Sequence, residues 1–276
     1  MNLDMLVMNI IKGKAPCIVG LDVGKEDLPH EFAGENAAAS VRAFNRAVID
    51  AVSELVPAIA VNVPALLPYG IDTVADAISY AKEKGMFTVA DAKCCGDPVS
   101  SQAEAEFYFN KLGADCVTVS PYFGAAGLSP FFEKCAEESK SVFVLARSER
   151  GTPQDFQELM AGLRTVYRAV CEKVALWGDK RTGDMGYSDI GVMLGGVENR
   201  TLAELRRVYK KTLLLLTGYD GKKVSAHDLN GAFDMRGLGG LVYVTRAITL
   251  PSGDGALSEK VKAAAETVCR DLRLCF

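Results

Sequence analysis

FTVADAK, residues 87–93, is apolar and β-branched up to Ala90 and then ends on two opposite charges, Asp91 and Lys93. Its apolar part is continuous rather than alternating, the pattern of a strand buried on both faces of a parallel sheet. Just before it, DTVADAISYAKEKG (72–85) spaces apolar residues three and four apart, so a helix delivers the chain into the strand. Gly85 falls where a left-handed helix cap calls for glycine. Upstream of that helix lies a second run of the same kind, AIAVNVP (58–64).

The unit repeats along the chain. Apolar runs recur at 17–23, 116–122, 141–147, 189–195, 213–219 and 241–247, which with the first two makes eight candidate strands. Helical spacing appears at 37–55, at 100–113 with Gly113 just past it, at 155–177, at 201–211 and from about Leu257 to Leu272. Eight strands alternating with helices, with no linker of biased composition, predict a single (β/α)8 TIM barrel as one domain over 1–276. A doubly wound open sheet is the alternative; the missing GxGxxG after the first strand counts against its dinucleotide-binding version. GDKRTGDMGYS (178–188) reads as a solvated loop, and the glycine-laden segment after the seventh strand as a short helix.

Composition narrows the function classes. Of 276 residues 49% are hydrophobic and 24% charged, with a net charge of −4, so no basic surface for nucleic acid is expected. No apolar run reaches the length of a membrane span, and MNLDMLVMNIIKGKAP at the start lacks a basic opening and a small-residue cleavage site. A cytoplasmic address is the expectation. The eight cysteines then read as reduced thiols, and Cys94 and Cys95 are not read as nucleophiles, because no histidine lies nearby to activate them. Two histidines, His30 and His227, outside any ligand-spaced cluster predict no metal.

In a barrel the chemistry lies at the carboxyl ends of the strands. Asp22, Asn62, Asp91, Lys93, Ser120, Arg147, Ser148 and Arg246 all fall there. Asp91 and Lys93, two apart on an extended strand, face the same side. A lysine held beside a carboxylate stays charged and can deliver a proton to a carbanion; an ion pair closing the barrel mouth is the structural alternative. Arg246, with the glycine-flanked TGYDGK (217–222), suggests an anion site, since loops after the last two strands often cradle phosphate. A surface salt bridge is the other reading of that arginine. Asp22 suits either a local cap or a sugar hydroxyl.

These segments resemble a known family. CIVGLDVGKEDLP (17–29), VADAKCCGDPVSS (89–101), CVTVSPYFGAAGLSPFFE (116–133), VFVLARSERGTPQDFQ (142–157) and YVTRAI (243–248) are similar, in this order, to orotidine 5'-phosphate decarboxylases of the bacterial and mycobacterial branch. The resemblance implies a cofactor-free homodimeric barrel that converts orotidine 5'-phosphate to UMP and carbon dioxide. It implies Lys93 as proton donor to the C6 carbanion, Asp91 facing the departing carboxylate, and Asp97 reaching into the neighbouring subunit's site. Asp22 would bind ribose and Arg246 phosphate. Asn62, Ser101, Ser148, Gly218 and Lys222 complete the expected substrate-binding set. The chain departs from the family pattern by one extra residue between Lys93 and Asp97, and by Ala60 where a lysine is usual. A non-catalytic or altered-function homologue that binds a nucleotide or sugar phosphate is the alternative function.

Overall fold

The computed structural model describes residues 2–274. Eight parallel strands follow one another around a closed barrel: β1 (Cys17–Leu21), β2 (Ala58–Asn62), β3 (Phe87–Cys94), β4 (Cys116–Val119), β5 (Ser141–Arg147), β8 (Ile190–Gly195), β9 (Leu214–Thr217) and β10 (Gly240–Val244). Pairing of β10 onto β1 shuts the barrel and excludes an open sheet. Each strand comes from one of the runs read in the sequence. Two short strands, β6 (Met160–Ala161) and β7 (Arg164–Thr165), form a separate antiparallel hairpin.

Continuous burial of the strands reflects two apolar layers. Outward side chains such as Val19, Val61, Val117, Val144 and Val242 pack beneath the helices, while inward ones, among them Ile18, Ala60, Val89, Phe143, Leu215 and Tyr243, fill the barrel. The outer layer is covered by α2 (Ala37–Val52), α4 (Ile71–Glu83), α5 (Pro98–Ala105), α6 (Gly124–Glu138), α7 (Val166–Gly178), α8 (Asn199–Val208) and α10 (Leu257–Leu274). Their starts use local chemistry: Asn36 accepts a bond from the Ala39 N–H, and Asp97 accepts from Val99 and Ser100. Gly85 and Gly113 have positive φ, as the cap reading required. No helix among the described residues is long and apolar enough to cross a membrane.

Three segments differ from the sequence expectations. The helix expected over 155–177 begins only at Val166; its first half is one 3-10 turn followed by the β6–β7 hairpin, which reverses at Gly162 with φ of +70°. Apolar spacing there served a hairpin and an exposed loop rather than a helix face. An unforeseen α1 (Leu3–Ile11) places Leu3, Leu6 and Val7 in the interior layer and so plugs the barrel floor. The segment 178–188 is only partly solvated. Tyr187 and Ser188 are buried, and the Asp4 carboxylate of α1 accepts the N–H groups of Asp184 and Met185. The seven described cysteines are free thiols; the eighth, Cys275, lies outside the described residues.

Phe143 fills the centre of the interior layer, fully buried, its ring against the bare face of Gly191 on the next strand. Truncation would leave a cavity that rigid strands on all sides cannot close. Phe143→Ala is expected to lower the unfolding free energy by about 3–5 kcal/mol, read from urea denaturation.

Candidate active site

Asp91 is only 2% exposed, at the top of the interior layer, and a buried carboxylate needs donors on both oxygens. Lys93 Nζ lies 2.6 Å from Oδ1 and 2.7 Å from Oδ2. Thr118 Oγ1 donates to Oδ1 at 2.8 Å, and the Tyr243 hydroxyl donates to Oδ2 at 3.2 Å. The backbone makes this possible by departing from the regular strand assumed from sequence. Pairing of β3 with β4 jumps from Ala90–Val117 to Cys94–Val119, so three residues of β3 oppose Thr118 alone. Lys93 takes a left-handed φ of +49° in this bulge, and its N–H donates to Thr118 Oγ1 at 2.9 Å. The same threonine hydroxyl thus bridges the lysine backbone and the aspartate side chain.

Between Lys93 and Asp97 the chain turns just beyond the bulge. Cys95 has φ of +130°, and the Cys95–Gly96 turn rests on Gly127 of α6, where a Cβ would strike the Gly96 carbonyl and the Cys95 sulfur. Burial pushes the Cys94 thiol well above its ordinary range, and nearby Glu104 adds to the shift, so this thiol is a poor nucleophile.

Above Asp91 and Lys93 opens a cavity of about 370 Å³, within the size range of small-molecule sites. Asp22, Asn62, Ser148, Gly218 and Arg246 of the expected set line it. Asn62 pairs in register with Asp91 and caps the one-turn helix α3 (Val63–Leu66) through Ala65 N–H. Asp22 Oδ1 is buried without a hydrogen-bond partner. Burial raises the Asp22 pKa, and Arg246 and Arg150 offset only part of that shift. Arg246 opens the one-turn helix α9 (Arg246–Thr249) and is half exposed, with its guanidinium 2.6 Å from Asp27. Gly218, with φ of +98°, brings the β9 loop against Glu149, whose carboxylate accepts the Thr217 hydroxyl.

Three expected residues lie elsewhere. Asp97 is exposed and bound to its own helix start, with Ser100 Oγ 2.8 Å from Oδ2; those bonds hold its pKa below the ordinary range. Ser101 is fully buried, and its hydroxyl accepts the Gly96 N–H at 3.0 Å, so it braces the turn instead of facing the cavity. Lys222 projects from a neighbouring depression. The turn beneath it is organised by Asp220, whose Oδ1 accepts the N–H groups of Lys222, Lys223 and Val224. Arg147 pairs with Glu158 and the Gly195 carbonyl, and neither it nor Ser120 lines the cavity.

Sequence reasoning missed Thr118, Tyr243, Glu149, Arg150 and Thr217. The available signal was inward register: Tyr243 alternates with Leu241 on β10, and both face the interior layer. In total the cavity wall carries the carboxylates of Asp22, Asp91, Glu149 and Asp220 against the cations of Lys93, Arg150 and Arg246. The wall therefore offers no general positive field, its three cations standing against four carboxylates. No group of three or more His, Cys, Asp or Glu side chains among the described residues is placed to hold a metal ion.

Comparison with known proteins gives a consistent picture. A model of the orotidine 5'-phosphate decarboxylase / HUMPS family matches residues 16–260. An orotidine 5'-phosphate decarboxylase of Rhodopirellula baltica is 31% identical over 253 residues, covering 86% of this chain and 83% of the relative. One of Clostridium perfringens is 30% identical over 254 residues, covering 90% of this chain and 88% of the relative. The structure of Leishmania donovani OMP decarboxylase superposes with a TM-score of 0.80 at 24% identity, covering 100% of this chain and 98% of the other. That last likeness bears on the fold alone.

The buried Asp22 carboxylate, one oxygen of which has no hydrogen-bond partner, yields a stability prediction. Its pKa is raised in the folded state, so the penalty of burying its charge is fully present at neutral pH, shrinks as the pH falls below that raised value and is gone below the ordinary carboxylate value. Asp22→Asn is therefore expected to melt at a higher temperature than the wild type at neutral pH, with the gap closing on acidification. Thermal melts of both proteins across that range check it.

Proposed function

The chain belongs to the orotidine 5'-phosphate decarboxylase / HUMPS family, and from that premise we propose that it is a carboxy-lyase converting orotidine 5'-phosphate to UMP and carbon dioxide in pyrimidine nucleotide synthesis. The observation that carries this reading is the Lys93 ammonium held on a buried carboxylate at the floor of a nucleotide-sized cavity. In the proposed reaction the bond from C6 to the carboxylate breaks, carbon dioxide leaves, and the electron pair stays on C6. Lys93 Nζ then gives C6 a proton, and solvent restores the ammonium. Asp91 faces the substrate carboxylate, whose departure relieves the repulsion between like charges.

The remaining wall residues fit binding roles. The unpartnered Asp22 oxygen is an acceptor for a ribose hydroxyl. Arg246 and Arg150 at the rim suit the phosphate, Arg246 by shifting from Asp27. Ser148, at the head of the β5 loop, suits the pyrimidine edge. Phosphate held at the rim lets remote binding energy act on the reacting end.

A homodimer is part of the proposal. Val99, Tyr122 and Phe123 are exposed apolar side chains near Asp97 in sequence or on the adjoining strand-end loop, and the Tyr122 ring packs at a tilt against exposed Phe156, centroids 5.6 Å apart. Covering this face with a second copy would bury them and carry Asp97 toward the partner's cavity.

Loss of orotidine 5'-phosphate absorbance, measured with purified protein beside Lys93→Ala, is the direct test. Turnover in the wild type, and a fall of at least about a thousandfold in Lys93→Ala, is expected. Wild-type protein without turnover, or a variant as active as its parent, overturns the assignment. For the shared site, mixing Asp97→Ala with Lys93→Ala subunits should recover about a quarter of wild-type activity. Half of randomly paired dimers are mixed, and each mixed dimer has one intact site of two. No recovery in verified mixed dimers would rule out contribution in trans.

A further inference from the structure

We propose that Tyr243 is a positioning residue for the reaction centre, its phenol fixing the Asp91 carboxylate from across the barrel and thereby aiming Lys93 at the cavity. The inference rests on the decarboxylase reading for its kinetic consequence and on the geometry alone for the contact.

Asp91 takes two bonds from one ammonium and one from Thr118. Lys93 is 38% exposed and its stem is flexible, so it cannot by itself fix the carboxylate plane. Tyr243 can. It is buried, it belongs to a strand on the far side of β1 and β2 from Asp91, and its hydroxyl ends 3.2 Å from Oδ2. A phenol ring has few torsions, so a wedged tyrosine delivers its hydroxyl to one place.

The residues between the two strands make room for this crossing. A Cβ at Gly20 on β1 would overlap the Tyr243 ring. Gly20 pairs with Ala60 on β2, whose methyl shares the interior layer with the ring. Ala60 in turn lies two residues below Asn62, the register partner of Asp91. Small residues at 20 and 60 and a tyrosine at 243 therefore form one steric unit that ends at Asp91. A longer side chain at 60 would contest the same space. Burial raises the Tyr243 pKa well above its ordinary value, and adjacent Asp91 adds to the shift, so the phenol keeps its proton and donates. The donor is neutral, which leaves Lys93 as the cation bonded to Asp91 among the described residues.

Tyr243→Phe keeps the ring and removes the donor. Its kcat for orotidine 5'-phosphate is expected to fall about tenfold to a hundredfold, as for loss of a bond to a charged group, with KM and UMP affinity each within about twofold of wild type. Tyr243→Val is expected to fall further, and adding Ala60→Lys to it should recover at least about tenfold in kcat, because a lysine rising from 60 returns a donor to Asp91. A Tyr243→Phe protein within about twofold of wild-type kcat, parallel losses of kcat and UMP binding, or no recovery in a folded double variant would each overturn the proposal. If the wild type does not turn over orotidine 5'-phosphate at all, the decarboxylase reading fails by itself. The contact is then decided by thermal melts of Tyr243→Phe, Asp91→Asn and their combination: non-additive shifts uphold it, and additive shifts overturn it.

Discussion

An ionised carboxylate inside an apolar barrel is tolerable only when both its oxygens are bonded, and this requirement at Asp91 shapes everything around it. The bulge in β3, the left-handed lysine, the inward threonine of β4 and the tyrosine from β10 are separate departures from regular strand chemistry. Each ends on the same two oxygens. A lysine in the left-handed region carries backbone strain, and that strain persists because Thr118 holds its N–H while Asp91 holds its side chain.

The barrel itself was legible because its strands are buried on both faces and so read as unbroken apolar runs, a pattern that survives without knowledge of any contact. Placement of polar residues at the strand ends picked out Asp22, Asn62, Asp91, Lys93, Ser148 and Arg246, and the fold brings these six to one cavity together with Gly218 of the β9 loop. Asp97 and Ser101 were harder for a physical reason. They follow the strand at a helix start, where a carboxylate or hydroxyl has local backbone donors to satisfy, and in the isolated subunit those local bonds win. Lys222 was misplaced by a loop whose path is set by Asp220 and not by hydrophobic pattern.

Residues that were missed share another property. Thr118 and Tyr243 stand inside apolar runs, CVTV and GLVYV, where a threonine or tyrosine looks like ordinary strand composition. Their polar function appears only when neighbouring strands bring a carboxylate within reach, which is information about three-dimensional register. Glu149, in the loop after β5, and Thr217, at the end of β9, likewise meet although 68 positions apart in sequence. The same limitation explains the false helix over 155–165: periodic apolar residues describe which side is covered, not which backbone covers it.

The turn at Asp220 has a consequence for how the cavity receives a ligand. Three successive amides that could serve an incoming anion are already satisfied by a carboxylate of the same loop. That turn, which sets Asp220 at the edge of the cavity, is consequently ordered when the chain folds, so its conformational entropy is lost before any ligand arrives. Recognition at this edge is left to side chains that can exchange partners, and selectivity for the anionic end of a ligand becomes a competition between acids, those the protein supplies and the one the ligand brings.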